Sequence, residues 1–98
     1  MSIIASVSLT ATDAGAFTQN LDRIMALADT AVDHGGRHLA KGGSIETVTG
    51  EALPDRVVVV AFDHVGQARA WMRSEEFGGL TELAGTCSQV QTMIVEGL

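Results

Sequence analysis

The chain has 98 residues, enough for one domain that spans residues 1–98 and too few for a second core. Hydrophobic residues make up 46% and charged residues 18%, a balance typical of a globular domain rather than a disordered one. The net charge is −6 and the six Lys and Arg residues are scattered, so no basic stripe exists and nucleic acid is not an expected partner.

The N-terminal third predicts a strand followed by a helix. Residues 3–9 alternate between apolar and mostly polar positions, which is the period of a strand with one drier face. Thr12 or Asp13 can cap the next segment, and apolar residues then recur every three or four positions over residues 17–31. The glycines at 35–36 predict the end of this helix, because glycine readily adopts a left-handed C-terminal cap.

The middle of the chain predicts two strands, and the first has two readings. Residues 37–48 form either a hairpin with a turn at Gly42-Gly43 or one long strand bent by a bulge at these glycines. We favour the long strand, because the loop at residues 49–55 already offers a hairpin connection. Residues 56–62 are the plainest strand of the chain, and this strand is apolar on both sides.

The last third predicts two helices and a closing strand. Asp63 or His64 opens the first of these helices, and Ser74 caps a further short helix with two glutamates in its first turn. Residues 89–96 alternate and predict the final strand.

This order predicts an α+β domain of the ferredoxin-like type, β-α-β-β-α-β, with an antiparallel sheet and its helices on one face. The other sheet face then carries one side of strand 56–62 together with Ile4, Met93 and Val95. Because an uncovered apolar face marks an interface, the sequence predicts a homodimer that pairs through the sheet face.

Four segments resemble the domain-of-unknown-function 1330 family, in the right order and over nearly the whole chain: HGGRHLAKGG at 34–43, RVVVVAF at 56–62, AW at 70–71 followed by SEEF at 74–77, and VEGL at 95–98. The resemblance implies a ferredoxin-like fold of the dimeric α/β-barrel superfamily, and it implies no activity.

The sequence departs from this family at three aromatic or proline positions. Met72 and Phe77 stand where the family usually has Tyr, and Glu75 replaces a Pro. Since the chain contains no Tyr, a pocket at these positions would be drier and poorer in hydrogen-bond donors than in the rest of the family.

His34 is the candidate catalytic residue, because imidazole titrates near neutral pH and can act as a general base. The alternative is a capping role, since His34 lies in the last turn of a helix. Arg37 can bind a ligand carboxylate through two hydrogen bonds, or it can pair with Asp33 or Glu96. Trp71 can wall an apolar ligand pocket or belong to the core, and the core is favoured.

No metal, disulfide or cofactor is expected. The three histidines lack a metal-ligand spacing, and Cys87 is a single cysteine on an apolar stripe. The longest apolar run, residues 57–62, is too short to cross a membrane, and the N-terminus does not resemble a signal peptide. We therefore expect a cytoplasmic protein without membrane partners.

Whether the chain is an enzyme stays open at this point. The first hypothesis is a homodimeric small-molecule-binding domain whose apolar pocket, between helices and sheet, takes a small apolar or aromatic ligand on His34, Arg37 and Trp71. The alternative is a cofactor-independent monooxygenase- or isomerase-like enzyme of the dimeric α/β-barrel superfamily, with His34 as the base. A purely structural dimer is a third reading.

Overall fold

The elements follow one another in the predicted order. The computed structural model describes residues 2–51 and 53–98, so Met1 of the domain and Ala52 of the hairpin loop lie outside the described residues. The elements are β1 (Ile3–Ala11), α1 (Ala14–Ala28), a 3₁₀ helix (Asp29–His34), β2 (Arg37–Lys41), β3 (Arg56–Phe62), α2 (Val65–Met72), α3 (Glu75–Gly85) and β4 (Ser88–Glu96).

The four strands form one antiparallel sheet in the order β2-β3-β1-β4. β1 is central, and its register places Ser6 opposite Val59 on one side and Met93 on the other. This strand order, with both helical segments crossing the same face, is the ferredoxin-like arrangement that the sequence predicts.

One face of the sheet packs against the helices and forms the core. The alternation along β1 is confirmed, because Ile3, Ala5, Val7 and Leu9 are all buried on that side. Their neighbours on β3 are Val58, Val60 and Phe62, and Ile24 and Leu80 reach the same core from the helices.

The helix starts use the predicted caps. The Asp13 carboxylate accepts a hydrogen bond from the backbone N–H of Ala16 (3.1 Å), and the Ser74 hydroxyl accepts one from Phe77 (3.2 Å). His64 is the N-cap residue of α2, and the Gln67 side chain accepts hydrogen bonds from the backbone N–H groups of Asp63 and His64. These bonds satisfy backbone donors that a helix leaves free at its first turn.

The prediction for residues 37–48 is wrong. β2 ends at Lys41, and residues 44–48 form no strand. Gly42 and Gly43 both have positive φ (75° and 80°), so they turn the chain out of the sheet instead of bending a continuing strand. The bulge lies earlier, at Leu39, where the register with β3 shifts.

No described helix is both long and apolar enough to cross a membrane.

Candidate functional site

Trp71 lies in the core. Its side chain is fully buried between Phe62 and Phe77, with ring centroids 6.1 Å and 4.8 Å from its own. The indole N–H donates a hydrogen bond to the Thr30 hydroxyl at 3.1 Å, which satisfies its one polar atom. Phe77, where the family usually has Tyr, meets the indole edge-on, and this ring needs no hydrogen-bond partner.

Arg37 and His34 lie near the surface on either side of the glycine pair. Arg37 pairs with Asp63 (3.3 Å) rather than with Asp33 or Glu96, and both side chains are about two-thirds exposed, so the pair adds less than about 1 kcal/mol. His34 is half-buried at the last position of the 3₁₀ helix, and both of its predicted roles, general base and cap, stay predictions.

These three residues line none of the three clearest depressions among the described residues. The space where the pocket was predicted, between helices and sheet, is filled by Phe62, Trp71 and Phe77. Asp63, the partner of Arg37, does line a depression of about 510 Å³ at the start of α2. The ligand-binding roles of the three residues therefore stay predictions.

The glycine pair of the His34–Arg37 segment has a packing role. Gly35 has φ 85° and ends the 3₁₀ helix in the left-handed conformation. A Cβ on Gly36 would lie 2.7 Å from Val60 Cγ1 and 2.8 Å from the carbonyl oxygen of Ala31. Glycine at these positions lets the chain leave the helix and enter β2 directly against the sheet, which is a structural reason for this part of the family pattern.

We expect Gly36→Ala to lower the free energy of unfolding by about 1–3 kcal/mol, because the added methyl group overlaps atoms that cannot move freely. Gly78→Ala is the matched control: Gly78 lies inside α3 with nothing within 4 Å of its Cβ position, so alanine should stabilise by up to about 1 kcal/mol. Urea unfolding of the two variants measures both values. Equal midpoints would contradict the close approach at Gly36.

His38 is a largely buried titratable residue that the sequence did not single out. It lies opposite Val60 on the helix side of β2, and neither ring nitrogen has a hydrogen-bond partner among the described residues. Its Nε2 is 3.9 Å from the Asp29 carboxylate, but that same oxygen accepts a hydrogen bond from Lys41 at 2.6 Å. A regular alternation of side chains along β2 would have predicted that His38 faces the core. The bulge at Leu39 interrupts that alternation, so the sequence pattern does not show it.

Burial lowers the pKa of His38 from its ordinary value of 6.5, the positive charge of Lys41 lowers it further, and Asp29 partly opposes them. The unfolded chain therefore binds a proton more readily than the folded protein. The stability contributed by neutral His38 is complete above pH 6.5 and is lost as the pH falls through 6.5 towards the lower folded-state pKa.

We therefore expect a steeper loss of stability on acidification in the wild type than in His38→Leu. The measurement is the melting temperature of both proteins between about pH 7.5 and about pH 5. The other titratable groups are common to the two proteins, so the difference in slope reports His38. Parallel curves would show that the imidazole is protonated as easily in the folded state as in the unfolded chain.

The sheet face turned away from the helices has no covering layer among the described residues, and we call it the open face. The half near the start of β1 is mostly apolar, apart from Ser6 and from Arg37 at the β2 edge, and Met93 and Val95 there are 46% and 53% exposed. The half near the end of β1, which we call the polar half, carries hydroxyl and amide side chains together with Val57. The open face consists of Ile4, Ser6, Ser8 and Thr10 of β1, Arg37 and Ala40 of β2, Val57, Val59 and Ala61 of β3, and Gln89, Gln91, Met93 and Val95 of β4.

A cavity of about 650 Å³ lies on the polar half of the open face. The loop before β3 forms one wall, and Asp55 fastens this loop to the end of β1: its carboxylate accepts a hydrogen bond from Ala11 (2.7 Å) and its N–H donates to Leu9 (2.9 Å). The described lining includes Ser8 and Thr10, Gln89 and Gln91, and Leu53 and Pro54. The sequence did not predict this site, because it depends on the pairing of β1 with β4.

The strand order and the single covered face define a ferredoxin-like α+β domain. The chain belongs to the family described as Domain of unknown function (DUF1330), which matches residues 3–98, so the resemblance seen in the sequence is confirmed. No curated protein matches the sequence significantly.

Solved structures share the fold at low identity. An ethyl tert-butyl ether d (ethd) family protein from Bacillus halodurans is 18% identical, with a TM-score of 0.70 over 100% of this chain and 99% of that one. A provisionally assigned antibiotic biosynthesis monooxygenase from Nitrosomonas europaea is 13% identical, with a TM-score of 0.69 over 99% and 89%. SnoaB, a cofactor-independent oxygenase from Streptomyces nogalater, is 11% identical, with a TM-score of 0.56 over 99% and 91%. These likenesses establish the fold alone.

Proposed function

We propose that the protein is a homodimeric small-molecule-binding domain that pairs through the open face and binds its ligand in the cavity on that face. The observation that carries the proposal is the open face itself, which combines exposed apolar side chains with a cavity of about 650 Å³. Ligand sites commonly have volumes in this range, about 300–1,000 Å³.

The shape and surface of the chain support pairing. The chain measures 37 × 33 × 17 Å, a slab of one sheet and one helix layer. Its accessible surface is 5863 Å², whereas a compact monomer of 10.2 kDa would expose about 5,300 Å². A second copy placed on the open face would cover the exposed side chains of Met93 and Val95, and two-fold symmetry closes such a contact.

Sedimentation velocity at tens of micromolar tests the pairing, and the expected mass is twice the chain mass of 10.2 kDa. Native mass spectrometry of the same sample then tests for a bound small molecule. A chain that sediments as a monomer would overturn the proposed dimer. Native mass spectrometry tests ligand binding separately, because a bound molecule can be detected on a monomer or on a dimer.

A second candidate function is the cofactor-independent enzyme. The likeness to SnoaB favours it, although it concerns the fold alone, and half-buried His34 is its general base. Oxygen consumption with a panel of hydroxylated aromatic compounds tests this reading. We expect turnover by the wild type and none by His34→Ala or His34→Gln, with Gln retaining a hydrogen-bond donor at the helix end. No turnover by the wild type would remove this candidate.

A further inference from the structure

The cavity on the open face has a floor made of two cross-strand pairs. Ser8 of β1 lies directly opposite Gln91 of β4, and Thr10 lies opposite Gln89. Each pair places a hydroxyl beside a carboxamide on the same face of the sheet. The loop wall contributes apolar surface from Leu53 and Pro54. A ligand lying on this floor would thus meet hydrogen-bonding groups below and apolar groups at its side.

The side chains of the floor form no hydrogen bond with the described residues. Among the side-chain hydrogen bonds of residues 2–51 and 53–98, none involves Ser8, Thr10, Gln89 or Gln91. Hydroxyl and carboxamide groups can each donate and accept. The floor therefore offers donors and acceptors together, a combination that suits a ligand carrying both.

No described lining residue is ionisable. The carboxylate of Asp55, in the same loop, already accepts a hydrogen bond from the backbone N–H of Ala11. A charged ligand would lose hydration on entering the cavity without gaining an opposite charge, which is costly. The net charge of −6 further disfavours an anion.

From these observations we infer that the cavity selects an uncharged ligand with a compact apolar body and at least one group that both donates and accepts hydrogen bonds, such as a primary amide. This inference names the ligand class for the site in the proposed function and rests on it. In the proposed dimer the partner faces the mouth of the cavity and excludes water, which strengthens the hydrogen bonds on the floor.

Three probes of similar size and different charge test the ligand class: benzamide, benzoate and benzylamine. Each is titrated into the ¹⁵N-labelled full chain at neutral pH, and chemical shifts are followed at Ser8, Thr10, Gln89 and Gln91, including the glutamine side-chain NH₂ signals. We expect benzamide to shift these signals with saturation, and benzoate and benzylamine to leave them unchanged at the same concentrations.

Gln91→Leu should weaken benzamide binding by about threefold to tenfold, the effect of one lost hydrogen bond. Gln19→Leu, on the exposed side of α1, is the matched control and should leave the affinity unchanged. If the spectrum of Gln91→Leu shows a disturbed fold, Ser8→Ala on the opposite strand replaces it and should weaken benzamide binding in the same way.

The outcomes separate the ligand class from the proposed function. Benzoate or benzylamine binding at the same signals as tightly as benzamide would overturn the selection for an uncharged ligand but leave the site in place. Benzamide shifts confined to other residues, or no shifts with any probe, would overturn the inference about this cavity. Sedimentation of the same samples reports the dimer separately.

Discussion

Replacing Trp71 with alanine is expected to lower the free energy of unfolding by about 3–5 kcal/mol, the range for removing a large aromatic side chain from a core. The indole is fully buried between Phe62 and Phe77, so the substitution leaves a cavity that its neighbours cannot fill. This loss is a large part of the total stability of a small domain, about 5–15 kcal/mol. Urea unfolding followed by circular dichroism measures it.

Trp71→Phe and Thr30→Val separate the packing of the indole from its hydrogen bond. Each removes one partner of the 3.1 Å bond while preserving most of the side-chain volume. A double-mutant cycle between them should give a coupling energy of about 0.5–1.5 kcal/mol. If Trp71 instead walls a ligand pocket, Trp71→Ala will change stability little and ligand affinity strongly, contrary to the core assignment.

Met93→Glu is expected to weaken the proposed dimer by about a hundredfold or more, because each subunit would bury a carboxylate in a mostly apolar contact. Met93 is 46% exposed in the single chain, so the substitution should leave the fold of each subunit intact. Two carboxylates related by two-fold symmetry would also repel each other. Sedimentation over a range of concentrations measures the dissociation constant.

Val32→Glu is the matched control, because it makes the same kind of change at a residue that is 57% exposed on the 3₁₀ helix, away from the open face. It should leave the dimer intact, and circular dichroism should show both variants folded. Equal weakening by both substitutions would indicate that overall charge, not the open face, controls association, and no effect from Met93→Glu would exclude this half of the face from the interface.

Local patterns were enough to predict the elements of the fold. The alternation of β1 reflects contact with one helix layer, and the caps at Asp13 and Ser74 are satisfied within three residues. Such features depend on neighbours along the chain. The predicted end of β2 was wrong, because a turn at two glycines with positive φ and a bulged strand have the same sequence pattern. The register with β3 decides between them.

The site could not be predicted in the same way, because its geometry depends on distant pairings. Ser8 meets Gln91 only through the register of the two ends of the chain, and Trp71 meets Thr30 across 41 residues. His38 is inward because of its alignment with Val60. Residue chemistry singled out His34, Arg37 and Trp71, while the tertiary structure places the cavity elsewhere.

The burial of Trp71 also gives the protein a built-in optical reporter. The chain has one Trp and no Tyr, so its near-ultraviolet fluorescence comes from a single indole. In the folded protein that indole is shielded from water, which favours emission at short wavelength and poor quenching by iodide. Any opening that exposes the indole, including loss of the contact between the 3₁₀ helix and α2, would shift the emission to the red, so the spectrum follows the packing around Trp71 without any added label.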